Sequence, residues 1–314
     1  MNKYKIATMV CWIITALVLV GLITWFVTRA IVGIGAGAGG MQVVRFFDFN
    51  FEGFGNFETL SGPFEEVGRQ TVSPGTINRI DIDWVSGEVN VRPHDGADII
   101  VTEFAQRELR ENEQFRVRTS DNTLSIAYVD GRLRNVRVTK RLEVLVPRQL
   151  SENLRELSID SVSGAIIVEG ITSERLEVDA TSGLIDVRGA FLRTDIDSIS
   201  GSINFVNTAE RSRADIDNVS GATNIEGAFE DIDISSISGG VTLTSRSMPL
   251  SIDISTVSGG VTINLPDTGE SVSVNHSSVS GRLTSDIPHT TVRGSAQIEI
   301  STVSGSTRIQ AIGG

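Results

Sequence analysis

Acidic side chains recur through the second half of this chain at a spacing that could support chemistry. Glu177, Asp195, Asp215, Asp233 and Asp253 each stand five residues before a repeated Ser-Gly step, and Asp160, Asp179, Asp197 and Asp217 stand three before it. Oxygen-rich surfaces of this kind can hold Ca²⁺ or Mg²⁺ weakly. Asp195, Asp197, Asp215 and Asp217 are therefore the candidate divalent-cation ligands. Clustered carboxylates beside a basic residue also serve polysaccharide cleavage, which makes a carbohydrate-active β-helix enzyme acting on an acidic polysaccharide the alternative. A solvated acidic face is the simpler reading of both columns, because the sequence has no Gly-rich calcium repeat.

Other chemistry finds little footing. The three histidines, His94, His276 and His289, have no metal-ligand spacing, and no Gly-x-Ser-x-Gly elbow occurs. With Lys3, Lys5 and Lys140 as the only lysines, no phosphate loop is present. Gly35, Gly37 and Gly40 satisfy a Gly-x-Gly-x-x-Gly pattern, but no strand precedes them and no helix pattern follows. No catalytic residue and no cofactor is expected.

The acidic columns belong to a repeat. Ser163, Ser182, Ser200, Ser220, Ser238, Ser258, Ser280 and Ser304 are each followed by glycine, at intervals of 19, 18, 20, 18, 20, 22 and 24 residues, near the shortest period of solenoids. Four residues before the serine stand Ile159, Val178, Ile196, Ile216, Ile234, Ile254, His276 and Ile300. One before it stand Val162, Thr181, Ile199, Val219, Ile237, Val257, Val279 and Val303. Five after it stand Val168, Val187, Phe205, Ile225, Leu243, Ile263, Ser285 and Ile309. Alternation with polar residues marks short strands buried on one face. The odd gap between the first two columns would put them on opposite faces of a flat strand, so a corner between them is expected to turn both inward. The serine and glycine then carry geometry: glycine takes the corner and serine hydrogen-bonds along the stack. The expected fold is all-β, a single-stranded parallel β-solenoid (β-helix-like) with ~20-residue rungs, preceded by one transmembrane helix. An antiparallel meander of hairpins is the competing architecture.

A ninth copy, Trp84-Val85-Ser86-Gly87, lies 77 residues before Ser163, so residues 76–150 read as degenerate rungs that cap the first end. Strands are expected at Ile99–Phe104, Thr123–Ala127 and Val136–Val146. Residues 151–314 form the regular repeats, and the last copy leaves the carboxyl end without an evident cap, open to end-to-end or homo-oligomeric contact.

The segment Ile80 to Val91, the run Arg141 to Pro147 leading into Leu157 to Gly164, and the later Val-Ser-Gly rungs resemble the bacterial cell-envelope family of candidate adhesin domains of unknown function. The resemblance covers roughly residues 70–312. It implies a right-handed β-solenoid displayed outside the cytoplasmic membrane, and it supplies no catalytic residues.

The amino-terminal residues set the expected compartment. Residues 1–5 contain Lys3 and Lys5, and Ile6 to Val27 is an uncharged run of 22 residues with Trp12 and Trp25 near its ends. That length suits a membrane-crossing signal anchor with its amino terminus inside. The only cysteine, Cys11, lies within it. Residues 28–45 are a Gly-rich tether. Residues 46–75 follow, and seven of the 13 phenylalanines fall between Phe46 and Phe64. Phe47, Phe49, Phe51 and Phe54 are the candidate partner-binding residues, exposed aromatics beside a membrane being suited to an interface or a partner.

Residues 1–150 hold 17 basic and 17 acidic side chains and 151–314 hold 10 and 22, so the net charge of -12 belongs entirely to the repeats. Nucleic acid is a poor partner for such a surface. The sequence thus points to a membrane-anchored, extracytoplasmic, adhesin-like binding or scaffold module whose partner is an envelope protein or polymer. An envelope-stress sensing component is a variant of the same reading.

Overall fold

The computed structural model describes residues 63–129, 138–290 and 296–313. The membrane anchor expected at 6–27 and the candidate partner-binding residues Phe47, Phe49, Phe51 and Phe54 lie outside the described residues. Among the described residues no helix is long and apolar enough to cross a membrane.

Two long ladders of strands meet at the Ser-Gly corners. The first ladder contains the residues before each corner. It runs from Arg79–Ser86 to Leu154–Ser163, then through the later parts of Ile166–Ser182 and Ile185–Ser200 to Ser212–Ser220, Phe229–Ser238 and Ser251–Ser258, every pairing parallel. The second ladder contains the residues after each corner and repeats the same order, from Val89–His94 to Val261–Pro266. Ser163, Ser182, Ser200 and Ser220 stack in register, so the repeat period is the circumference of one coil. The pairing is that of a parallel solenoid and not of a hairpin meander, which would be antiparallel throughout.

Inward columns run six, four and two residues before the serine and three and five after it. Ile159, Ile196, Ile216, Ile234 and Ile254 are each fully buried, as are Ile166, Ile185, Ile203 and Leu243. Each such side chain contributes roughly 1.5–3 kcal/mol by leaving water. Phe191, Phe205 and Phe229 stack inside with ring centroids 6.1 and 6.3 Å apart. The Asn207 amide brackets this stack, donating to the Phe191 carbonyl at 2.9 Å and accepting from its N–H at 3.0 Å.

The column immediately before the serine departs from expectation. Thr181, Ile199, Val219, Ile237, Val257 and Val303 are half-buried, while Ser161, Ala180, Ser198, Asn218, Ser236, Thr256 and Thr302, one position earlier, are buried. The strand keeps its alternation up to the serine and turns only at Ser-Gly. An inward side chain beside that corner has little room, which selects Ser, Ala, Thr and Asn there. The Val column faces outward and is covered to differing degrees by its neighbours above and below, from Val162, which is buried, to Val279, which is exposed.

The glycine follows from how tightly the corners stack. A Cβ on Gly183 would lie 1.8 Å from the Gly164 carbonyl oxygen, and one on Gly239 would lie 1.9 Å from that of Gly221. Gly183 also has φ of 126°, a conformation that L side chains rarely adopt.

Both ends depart from sequence order. At the first end, Thr123–Ala127 pairs parallel outside Arg79–Ser86, and Lys140–Pro147 pairs parallel outside Val89–His94. Ile99–Ala105, Glu65–Val72 and Arg116–Ser120 then continue the two ladders antiparallel. A buried ion pair joins this cap, Lys140 Nζ to Glu103 Oε1 at 2.5 Å with both side chains wholly buried. Lys140 Nζ also donates to the Glu113 carbonyl at 2.7 Å and lies 3.9 Å from the Tyr128 ring centroid. Burial holds the Lys140 ammonium down at about 8 and pushes the Glu103 carboxyl up, so desolvation outweighs the attraction within the pair.

At the other end the copies are not stacked in chain order. Gln297–Ser304 and Thr307–Ile312 insert between the 251–266 rung and the 273–285 rung. The terminal rung is therefore 273–285 and not, as the order of copies suggests, the last copy.

Candidate functional site

The parallel register assembles the carboxylates into two columns on the outward face of the first ladder. Asp83 pairs with Asp160, Asp160 with Asp179, Asp179 with Asp197 and Asp197 with Asp217, each one strand spacing of ~4.8 Å away. Ser235 follows Asp217 and ends the run. The parallel column places Asp81, Ser158, Glu177, Asp195, Asp215, Asp233 and Asp253 in order.

The candidate ligands Asp195, Asp197, Asp215 and Asp217 do occupy adjacent rungs, Asp195 opposite Asp215 and Asp197 opposite Asp217. The group whose oxygens lie closest is elsewhere. Asp81, Asp83 and Asp160 each offer an oxygen within 4.8 Å of the others. Asp81 and Asp83 lie far upstream of the other acids, and only alignment of the ninth Ser-Gly copy, at Ser86, places them in the two columns. That signal was present in the spacing.

The two columns differ in their compensation. In the Asp81–Asp253 column Arg175 reaches Glu177 at 3.1 Å and Asp195 at 3.5 Å; Arg213 pairs with Asp231 at 3.0 Å and Glu230 at 3.8 Å, which lie outside both columns. Among the described residues, no ion pair reaches Asp83, Asp160, Asp179, Asp197 or Asp217. Among the described residues, five carboxylates at strand spacing thus face one another without a cation.

Their protonation follows from this crowding. Partial burial and the neighbouring charges of Asp179 and Asp83 push the Asp160 carboxyl up to about 7. Burial, with Asp179 and Asp217 on either side, pushes Asp197 up to about 7 as well. Asp179, between them, is raised by burial but is hydrogen-bonded in its charged form by Asp160 and Asp197, and Asp83 is held likewise by Asp160. Asp217 is raised by burial and receives a bond from Ser235. The pattern alternates. Asp160 and Asp197 hold protons toward neutral pH and donate to Asp83 and Asp179, whose carboxyls are raised by burial but held down by these bonds, because like carboxylates this close do not all ionise. In the other column burial and Asp253 raise Asp233 to about 6.

Such a column offers acceptors and exchangeable protons on a flat surface. Chemically it can take up cationic groups, each displacing a proton, and it can neutralise itself when none is present. His94, whose Nε2 lies 2.8 Å from the Asp98 carbonyl oxygen, ends the strand Val89–His94 of the second ladder, apart from this face. His276 is in the end rung, paired with Ile300 of the inserted strand.

A family model described as Toastrack DUF4097 matches residues 77–311, three quarters of the chain and every rung from Arg79 onward. The chain belongs to the Toastrack DUF4097 family. The match begins at the strand that carries Asp81 and Asp83, so the cap rung and the regular rungs are parts of one family domain. Solved structures that this Toastrack chain is similar to include three described as candidate adhesion proteins. An adhesin candidate from Bacteroides fragilis NCTC 9343 is 15% identical with a TM-score of 0.48, covering 80% of this chain and 98% of that one. One from Parabacteroides distasonis ATCC 8503 is 13% identical with a TM-score of 0.47 and the same coverage. A candidate cell adhesion protein from Clostridium sporogenes ATCC 15579 is 10% identical with a TM-score of 0.26, covering 80% of this chain and all of that one. No curated protein matches the chain.

Proposed function

We propose that this Toastrack chain is a non-enzymatic binding or scaffold module of the cell envelope. The apolar run 6–27 holds it in the cytoplasmic membrane with the solenoid outside, and the acidic face of the first ladder receives a partner that carries cationic groups. The observation that carries this reading is the run of five carboxylates from Asp83 to Asp217 without a basic partner among the described residues. A stack that must retain protons near neutral pH gains charge balance when ammonium or guanidinium groups replace those protons, so a basic protein or polymer fits it. The three solved proteins described as candidate adhesion molecules accord with a binding role.

The test compares the full chain with a variant carrying Asp160→Asn, Asp179→Asn, Asp197→Asn and Asp217→Asn, each cross-linked to its neighbours in intact envelopes. A partner with a basic surface that is captured by the first and lost from the second supports the reading. Equal capture by both, or cleavage of an acidic polysaccharide by the full chain that the variant lacks, overturns it. Protease added to right-side-out vesicles should digest the rod and leave the anchor, and protection of the rod would refute the orientation.

A further inference from the structure

The solenoid is sealed at one end and open at the other. At the capped end Leu124, Ile126, Leu142 and Val144 are at most 1% exposed, and the outermost strands are blunted. Glu65–Val72 carries Glu65, Glu66 and Arg69 with a bulge between Glu66 and Gly68, and Arg116–Ser120 carries two arginines. Charges and bulges are the ordinary means of preventing edge-to-edge pairing.

At the opposite end the two strands have neither device, and the one charge between them is Arg282 in the corner. Ser273–Ser280 reads SVNHSSVS and Leu283–Ser285 reads LTS, with no acidic residue, lysine, arginine or proline and no bulge. Among the described residues each pairs on one side only, with the inserted strands Gln297–Ser304 and Thr307–Ile312. The inward positions Val274 and Leu283, whose counterparts in the body of the rod are buried, are half-exposed here. Val279 is 73% exposed, the most exposed of the large apolar side chains among the described residues. His276 Nε2 and Ser278 Oγ are buried atoms without a hydrogen-bond partner. Apart from residues 288–290, which pair with Val272 just before the first strand, no described residue pairs with the outer side of this rung.

We propose that two copies of this chain close these ends against each other as a two-fold dimer, with the axis at the Ser280–Gly281 corner. The corner makes the rung nearly symmetric about its bisector. A half-turn there lays Ser273–Ser280 of each copy antiparallel to Leu283–Ser285 of the other, so both open edges are paired at once. Inward Val274, His276 and Ser278 then meet inward Leu283 and Ser285 of the second copy, which continues both cores across the junction. The contact is self-complementary and closed. Chain-like growth does not follow, because the blunted, antiparallel cap cannot accept the same edge. A second copy satisfies both strands and the bend between them, whereas a single extended peptide would satisfy one.

The test uses the full chain with Cys11→Ser, solubilised in mild detergent. Ser280→Cys, next to the axis, should form a disulfide-linked dimer on mild oxidation, while Gln70→Cys, on the capped edge, should remain monomeric. Val279→Lys places a cation near Arg282 of the second copy and should weaken the dimer at least tenfold in sedimentation equilibrium, with unchanged melting of the rod, since that side chain is already largely in water. A full chain that is monomeric at ~100 µM, far above the micromolar range of ordinary specific contacts, overturns the proposal. So does equal cross-linking at positions 70 and 280, or a dimer that Val279→Lys leaves unchanged. A chain that is monomeric alone but gains a strand-forming peptide on this edge would assign the end to a different partner.

Discussion

The alternating protonation of the Asp83–Asp217 column makes the rod more stable in mild acid than at neutral pH. Asp160 and Asp197 move from an ordinary 3.8 to about 7 on folding. A carboxyl raised in the folded state binds its proton more tightly there than in the unfolded chain. Its contribution is therefore favourable below 3.8 relative to high pH and is lost as pH rises through about 7. Were the whole difference expressed, each residue would account for about 4 kcal/mol. Water and counterions on the outward face screen much of the repulsion, so we expect about 2–3 kcal/mol in total to be lost between pH 5 and 8. Asp233, raised to about 6, adds to the same trend, as do the other raised aspartates of the two columns. Glu113, held at about 2 by Arg107, acts below the window, and Lys140, lowered to about 8 by burial, acts at its alkaline limit. His276, lowered by burial, opposes the trend by costing stability as pH falls through its ordinary 6.5. The assay is urea unfolding followed by circular dichroism at pH 5, 6, 7 and 8, with Asp160→Asn/Asp197→Asn beside the native chain. Asparagine keeps a donor for Asp83 and Asp179 without the charge, so the variant should lose most of the slope and be stabilised at pH 8. A native chain whose stability is flat or rises from pH 5 to 8 would refute the alternating column, as would a variant that keeps the native slope.

Three further outcomes follow from the same geometry. Raising NaCl from 50 to 500 mM should stabilise the rod at pH 8 and have little effect at pH 5, where the column is largely neutral; equal effects in thermal melts would contradict the charge pattern. Gly183→Ala drives a Cβ toward the Gly164 carbonyl and imposes an unfavourable φ, so it should cost about 2–3 kcal/mol in chemical denaturation; a loss below about 0.5 kcal/mol would mean that the corners do not stack this tightly. Lys140→Met strands the buried Glu103 carboxylate and should cost about 3–5 kcal/mol, most of which Glu103→Gln in the same chain should restore; additive losses in the double variant would show that the pair does not act as a unit.

Much of the body of the rod was legible because one residue type fits each environment and the chain repeats the solution. The isoleucines four residues before the serine, the apolar residues five after it and the glycine itself announce a core column, a second core column and a corner. The outward aspartates were legible as columns for the same reason. Their protonation pattern was less so, since it depends on which acids become immediate neighbours, and Asp83 joins Asp160 only because a rung 77 residues upstream stacks directly on Leu154–Ser163. The Val column before the serine reads as core in the sequence, and the structure turns most of it outward because the strand keeps its alternation up to Ser-Gly. The small residues one position earlier held the correct signal, because Ser161, Ala180, Ser198 and Ser236 are too small and polar to suggest burial yet are what an inward position beside a corner can hold.

The order of the final rungs lies beyond local pattern altogether. The copies ending at Ser280 and Ser304 both satisfy the alternation, and nothing short-range tells the chain which should stack on the 251–266 rung. Side-chain content supplies the physical preference. Ile298, Ile300 and Ile309 continue the isoleucine columns of Ile252, Ile254 and Ile263, whereas Val274, His276 and Ser285 would interrupt them. Inserting the apolar copy buries three large side chains against a matching rung and moves the weaker copy to the end, where one of its faces needs no core. Exchanging these triplets, with Ile at 274, 276 and 285 and Val, His and Ser at 298, 300 and 309, should therefore bring the chain toward sequential stacking. A disulfide between cysteines at positions 256 and 278 would detect that order, and one between 256 and 302 the native order. If the native pair still forms exclusively in the exchanged chain, the connecting loops and not the core columns dictate which rung is last.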